Sequence, residues 1–132
     1  TELGADLTVD PTSPQALEEV MAFSHKEGLS AAIDCSGSPI AENMALDAAR
    51  PMAKVAFIGE SRETTIRPSD QLIRKQLTLM GSWYFGASEW GEIAEVLASK
   101  NIDLGRLATH TFGLDAAQDI DAGVAEVEEE AA

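Results

Sequence analysis

The sequence predicts an α/β protein in which helices flank a parallel sheet, and three observations carry that expectation. Short apolar runs without helical period occur at Ala31-Ala32-Ile33-Asp34-Cys35, at Lys54-Val55-Ala56-Phe57-Ile58 and at Leu77-Thr78-Leu79-Met80. Each empties into a glycine-bearing turn, at Gly37, Gly59 and Gly81 to Gly86, as a strand does when the chain must reverse tightly. The first two runs are separated by about twenty residues of helical pattern, far too many for a hairpin and suited to a crossover between parallel neighbours. A run such as 31–35, with no polar alternation, suits a strand covered on both faces.

Length and composition narrow the class. The chain has 132 residues, material for one domain, and is 45% hydrophobic. No apolar run approaches the ~18 residues a bilayer crossing needs. Residues 1–6 (Thr-Glu-Leu-Gly-Ala-Asp) lack the basic and apolar regions of a secretory signal, and one cysteine makes no internal disulfide. A cytoplasmic protein is expected. The formal net charge of −14 is spread evenly, 11 acids against 4 bases in residues 1–66 and 12 against 5 in residues 67–132. With no basic stripe, neither nucleic acid nor an anionic membrane is an expected partner. A well-solvated surface is the plain reading of this acidity, and adaptation to high salt the alternative.

In chain order, Leu7-Thr8-Val9 reads as a short strand. Pro11-Thr12-Ser13-Pro14 is a turn, with Ser13 as cap and Pro14 as first helical residue. Ala16, Leu17, Val20, Met21 and Phe23 form the apolar stripe of a helix that Gly28 closes. His25 sits near its end as a surface residue suited to the helix dipole. After Gly37, Ser38 and Pro39 open a second helix whose apolar face is Ile40, Met44, Ala45, Leu46 and Ala48-Ala49, stopped by Arg50-Pro51. Glu60 to Glu63 is a polar loop, Thr64 to Ile66 a short extended piece, and Asp70 to Gln76 a short helix or irregular turn. The third strand runs from Leu77 toward Ser82-Trp83-Tyr84-Phe85. Ser88 then caps a helix with stripe Trp90, Ile93, Ala94, Val96 and Leu97. Beyond a loop at Ile102 to Leu107, Leu107 to Phe112 alternates as a strand. Leu114-Asp115 opens a last helix, Asp115 and Gln118 making a capping box, and the chain closes on an acidic tail.

Five segments in this order resemble the medium-chain, zinc-type alcohol and polyol dehydrogenases: Leu3-Gly4-Ala5-Asp6, Asp34-Cys35-Ser36-Gly37, Arg50-Pro51 with the strand to Gly59, Leu77 to Trp83, and Leu107 to Phe112 with Leu114. The resemblance implies a partial Rossmann doubly wound sheet lacking its first β-α-β unit. Residues 1–106 would then be the C-terminal portion of a nucleotide-binding domain, and residues 107–132 the return to a catalytic domain. It also implies an oxidoreductase that moves a hydride between a small alcohol or carbonyl substrate and NAD or NADP. This chain would supply the nicotinamide-side wall through Cys35, Ser36 and Gly37, through Ile58, Gly59 and Glu60, and through Ser82, Trp83 and Tyr84. Each glycine is equally what any turn requires, and Trp83-Tyr84 is equally a core or interface pair.

The departures from the family are specific. There is no Gly-x-Gly-x-x-Gly with an acid about 20 residues beyond it, the pattern that binds pyrophosphate and ribose. No zinc-ligand set is present, so zinc belongs to the parent enzyme and no metal or catalytic residue is assigned to this chain. Met52-Ala53 stands where the family has Gly-Gly, and Gly113 where it has proline. Cys35 has no basic neighbour in sequence to make it a nucleophile and reads as a small buried side chain under the cofactor site. His110 reads as a structural hydrogen-bonder. The alternative functions are a regulatory ligand-binding α/β module, which would need a phosphate loop, and a non-catalytic dimerisation module. The uncharged β-prone run Leu77 to Ser82 suits an edge strand that pairs with a second copy.

Overall fold

In the computed structural model, residues 4–111 are described, and they fall into two compact units divided after Tyr84. The first unit holds helix α1 (Ala16–Phe23), strand β1 (Leu29–Asp34), helix α2 (Pro39–Ala48), strand β2 (Ala49–Phe57), a wide π-type turn at Pro68–Ile73 and strand β3 (Thr78–Gly81). The second holds a 3₁₀ turn at Ala87–Glu89, helix α3 (Trp90–Ser99) and a 3₁₀ turn at Leu104–Leu107. Among the described residues no helix is long and apolar enough to cross a membrane.

The three strands form one parallel sheet in the order β1-β2-β3. Ala31 to Asp34 pair with Lys54 to Phe57, and Lys54 to Phe57 pair in turn with Thr78 to Gly81. The expected adjacency of the first two apolar runs is therefore observed. Strand β2 begins earlier than its apolar run. Leu29 already pairs with Ala49 and Ala31 with Lys54, so the stretch of β2 from Ala49 to Lys54 opposes the much shorter stretch of β1 from Leu29 to Ala31 and the register shifts there. Pro51, which has no amide to give a ladder, falls in that irregular part. So does Met52, at φ +63 with its amide turned to the Lys75 carbonyl at 2.7 Å.

Alternation decides which side chains enter the core. Leu46, Ala49, Ala53 and Val55 are buried together, and Ala32, Phe57, Leu72, Leu77 and Leu79 pack against them. Helix α2 buries Leu46 and Ala48, as read from sequence, and adds Glu42 to them, while Ile40, read as part of the same face, is exposed and Met44 only half-buried. Its C-terminus has no glycine cap. Instead the Lys75 ammonium donates to the carbonyls of Leu46, Asp47 and Ala49 at 2.7–2.9 Å, filling acceptors a helix end leaves open. Removal from water lowers the Lys75 pKa, Asp47 opposing the shift and Arg67 adding to it.

Several expectations are corrected. Leu7 to Val9 is not a strand: no ladder partner exists for it among the described residues, and Asp10 bends the chain at once by accepting from the Thr12 amide and hydroxyl. Strand β1 is not covered on both faces. Ala31 and Ile33 are exposed, Ile33 at 65%, because β1 is an edge of this sheet and only its other face meets α2. Helix α1 ends at Phe23 rather than near Gly28. The chain turns through His25 and Lys26, both at positive φ, and Gly28 instead lets the start of β1 approach β2, where a Cβ would lie 2.8 Å from the Ala48 carbonyl.

Ser13 bonds to the Gln15 amide but α1 starts two residues later than expected, and Pro14 stays in the turn. Residues 64–66 are irregular. Gly86 rather than Ser88 precedes the turn into α3, its amide donating to the Glu89 carboxylate at 2.5 Å. Leu107 closes a 3₁₀ turn and residues 108–111 join no ladder, so the strand expected at Leu107 to Phe112 is not found over its described part. Phe112, Gly113, Leu114, Asp115 and Gln118, with the acidic tail, lie outside the described residues.

Candidate functional site

Parallel strands put all their C-terminal ends on one rim, and the three elbows follow from it: Cys35 to Gly37 after β1, Ile58 to Glu60 after β2, Ser82 to Tyr84 after β3. Asp34 joins the first two. Its carbonyl accepts from the Ile58 and Gly59 amides at 2.8 and 3.0 Å. Its carboxylate, 5% exposed, accepts from the Ser36 amide, the Ser36 hydroxyl at 2.6 Å and the Gly37 amide at 2.9 Å. Gly37 and Gly59 then pack backbone to backbone. A Cβ on Gly37, already at φ +65, would lie 2.5 Å from the Glu60 carbonyl oxygen, and one on Gly59 would meet Asp34 Oδ2 and the Cys35 carbonyl carbon at 2.7 Å. Gly81 extends the rim to the third elbow, the Ser82 amide donating to the Phe57 carbonyl at 3.0 Å.

A cavity of about 450 Å³ opens between the second and third elbows, lined by Phe57, Ile58, Gly59, Glu60, Ser61, Gly81, Ser82, Trp83 and Glu42. Five of the nine residues read from sequence, Ile58, Gly59, Glu60, Ser82 and Trp83, thus share one wall. Cys35, Ser36 and Gly37 are not in that lining, although Gly37 buttresses it from behind through Gly59. Tyr84 is not in it either. It is exposed at φ +47, with its ring edge-on to Trp83 at 4.6 Å between centroids. Cys35 is exposed rather than buried, because the inward turn of the Asp34 side chain sends the next residue outward. His25 is exposed on its turn, and His110 Nδ1 lies 2.9 Å from the Thr109 hydroxyl.

Sequence reasoning missed Glu42. Its carboxylate, 1% exposed, accepts from the Ser61 hydroxyl at 2.8 Å and from the Thr64 hydroxyl. The available signal was its position four residues before Leu46, on the face of α2 that turns inward. Beside it Gln71, equally buried, donates to Asn43 and Asp47 and accepts from the Arg67 amide. Among the described residues no group of three or more His, Cys, Asp or Glu side chains is placed to hold a metal. The chemistry within reach is that of a binding wall: backbone groups, the hydroxyls of Ser61 and Ser82, the Trp83 indole and the carboxyl groups of Glu42 and Glu60.

Residues 1–99 match the family described as zinc-binding dehydrogenase. The L-threonine 3-dehydrogenase of Pyrococcus horikoshii is 27% identical over 113 residues, covering 84% of this chain and 32% of its own length. Among solved structures, the alcohol dehydrogenase of the archaeon Aeropyrum pernix superposes over 96% of this chain and 36% of its own, with a TM-score of 0.74 at 22% identity. An Escherichia coli CFT073 protein, described as a short chain alcohol dehydrogenase complexed with cofactor NADH, does so over 90% of this chain and 34% of its own, with a TM-score of 0.71 at 25% identity. The chain spans about a third of the length of the curated relatives it matches.

Proposed function

The chain belongs to the zinc-binding dehydrogenase family, and on that premise we propose that it supplies the nicotinamide-side wall of an NAD- or NADP-dependent alcohol or polyol dehydrogenase. In this reading residues 1–106 are the later part of the nucleotide-binding domain and residues 107–132 the return toward a catalytic domain, in a cytoplasmic enzyme. One observation carries it: the ends of adjacent parallel strands bring Ile58, Gly59, Glu60, Ser82 and Trp83 around a single cavity. Such a rim is where open parallel sheets bind ligands, and its volume is in the range of small-molecule sites.

When bound, the cofactor supplies the hydride chemistry, exchanging a hydride with the carbon of a small alcohol or carbonyl compound. The chain's own share is positioning. Those backbone groups at Ile58 to Glu60 and at Ser82 that Asp34 and Phe57 do not already occupy hold a planar ring with no side-chain entropy to lose, and Ile58 and Trp83 keep water from one of its faces. Cys35, Ser36 and Gly37 act from behind by fixing the second elbow, and Tyr84 by bracing Trp83. Zinc, which the family implies, has no ligand set among the described residues, and no residue of this chain is assigned to it.

Among the described residues β3 is an end strand of the sheet, which favours a second role in the same protein, pairing with another copy through Leu77 to Ser82. The two roles are compatible, since the pairing edge and the rim are different sides of one strand.

The test is titration of the isotope-labelled chain with NADH, followed residue by residue by amide chemical shifts. Shifts should concentrate at 35–37, 58–60 and 82–84, with millimolar affinity at best and no turnover, because the sequence carries no pyrophosphate loop. Shifts confined to other residues would refute the wall, and micromolar binding by calorimetry would refute its partial character.

A further inference from the structure

We infer that Glu42 is the positioning residue of the second elbow: by accepting the Ser61 and Thr64 hydroxyls, its buried carboxylate fastens the loop of residues 60–65 to α2 and so sets one wall of the rim cavity. The meaning of that wall for a cofactor rests on the function proposed above; the fastening itself does not.

Packing holds the two ends of this stretch, Glu60 against Gly37 and Ile66 against the core, and between them Glu42 supplies the hydrogen bonds. No backbone-to-backbone hydrogen bond fixes residues 60–66 among the described residues, and none of them joins the sheet. Glu42 reaches across 19 and 22 residues of sequence to bind Ser61 and Thr64. A second tie from the next turn of the same helix takes over where this one stops, as Asn43 and Asp47 accept from Gln71 and Arg67 pairs with Asp47 at 2.6 Å. Helix α2 therefore acts as a rack along which residues 61–71 are hung by side chains alone.

The choice of a carboxylate is informative. Glu42 is 1% exposed, and among the described residues the ion pairs, Arg67 with Asp47 and Arg74 with Asp70, do not include it. Burying an acid against neutral donors is costly, and an apolar side chain of similar volume would fill the space without that cost. What the acid adds is direction: two acceptor oxygens hold two hydroxyls at once, and both hydroxyls belong to the loop. Because Glu42 and Ser61 line the same cavity as Gly59 and Glu60, freeing the loop would move the cavity wall and leave the sheet in place.

Trypsin reads this directly, since Arg62 is exposed in the middle of the loop while Lys54 lies within β2. Cleavage after Arg62 should accelerate about ten-fold in Glu42→Ala, because proteolysis tracks the population of the open loop, with cleavage after Lys54 unchanged. The double variant Ser61→Ala/Thr64→Val, which keeps the acid and removes its donors, should do the same. Glu42→Gln, which keeps the shape and one acceptor, should restore at least half of the protection. Wild-type cleavage rates in Glu42→Ala and in the double variant would overturn the inference. A parallel rise at Lys54 in both would overturn it too, by showing general loosening.

A second readout separates this from the cofactor reading: with NADH, the Gly59 and Glu60 amide shifts should shrink about three-fold or more in Glu42→Ala while that of Ser82 persists. If the wild-type chain shows no NADH shifts at the three elbows, the cofactor reading fails and the cleavage rates alone decide the role of Glu42.

Discussion

Gly37 and Gly59 touch backbone to backbone, so that neither has room for a β-carbon. This contact joins the first elbow to the second and puts two neighbouring strand ends at one depth along the rim. Alanine at Gly59 must push against the Gly37 backbone nitrogen as well as Asp34 and the Cys35 backbone, and overpacking of this kind costs about 1–3 kcal/mol or more. Alanine at Gly37 meets the Glu60 carbonyl and adds a left-handed conformation, worth about 1 kcal/mol more. Urea unfolding should therefore place both Gly59→Ala and Gly37→Ala below wild type. Equal midpoints for all three would refute the contact.

Met52 offers the opposite experiment. It holds φ +63 in the irregular part of β2 and is 77% exposed, so the residue bears left-handed strain and packs little in return. Glycine relieves roughly 1–2 kcal/mol of that strain and returns about 0.5–1 kcal/mol as unfolded-state entropy. Met52→Gly should raise stability by up to about 1.5 kcal/mol, measured by the same unfolding curve. A loss of stability would show that the thioether contributes packing the exposure does not reveal.

Self-association through β3 should strengthen with salt. Two bodies each formally at −14 repel over a Debye length of roughly 10 Å at 0.1 M and about 3 Å at 1 M. Leu79 packs against the core while Met80 is turned outward and exposed, so the informative substitution is Met80→Lys, which charges the strand and leaves the core intact. Sedimentation velocity across a salt series should show wild type dimerising at high salt and Met80→Lys remaining monomeric. A wild-type monomer at every salt concentration, or a dimer indifferent to the lysine, would remove the interface from this strand.

The bend that replaces the expected first strand has a pH signature. The Thr12 hydroxyl, and then its amide, hold the Asp10 pKa below its ordinary 3.8. A carboxyl depressed in the native chain contributes stability above its unfolded value and loses it as pH falls through the lower native one. In a carbon-detected titration, the Asp10 midpoint should climb toward 3.8 in Thr12→Val. An unchanged midpoint would mean the hydroxyl is not its main partner.

Where the sequence was legible, the signal was local. The strand-glycine-helix pattern placed β1, α2 and β2, and Ser38-Pro39 marked the start of α2, because turn chemistry and β propensity act over a few residues. Five of the proposed site residues share the cavity for the same reason: a glycine at a parallel strand end puts the following backbone on the rim. Burial was less legible. Ile33 and Cys35 belong to an apolar run yet face outward, and Ile40 gave way to Glu42 on the inner face of α2. An acid reads as surface until its partners are known, and Ser61 and Thr64 lie too far along the chain for any periodicity to connect them. Leu7 to Val9 has the composition of a strand, but a strand needs a neighbour, and no local pattern supplies one.

Asp34 also sets how the rim exchanges with solvent. Four amides, those of Ser36, Gly37, Ile58 and Gly59, end on the oxygens of this one residue, so their deuterium uptake falls into two shared events rather than four separate ones. The pair held by the side chain answers to Asp34→Ala, and the pair held by the main chain answers only to separation of β1 from β2. The difference in uptake between the pairs in that variant therefore measures how far the first elbow opens while the sheet stays closed.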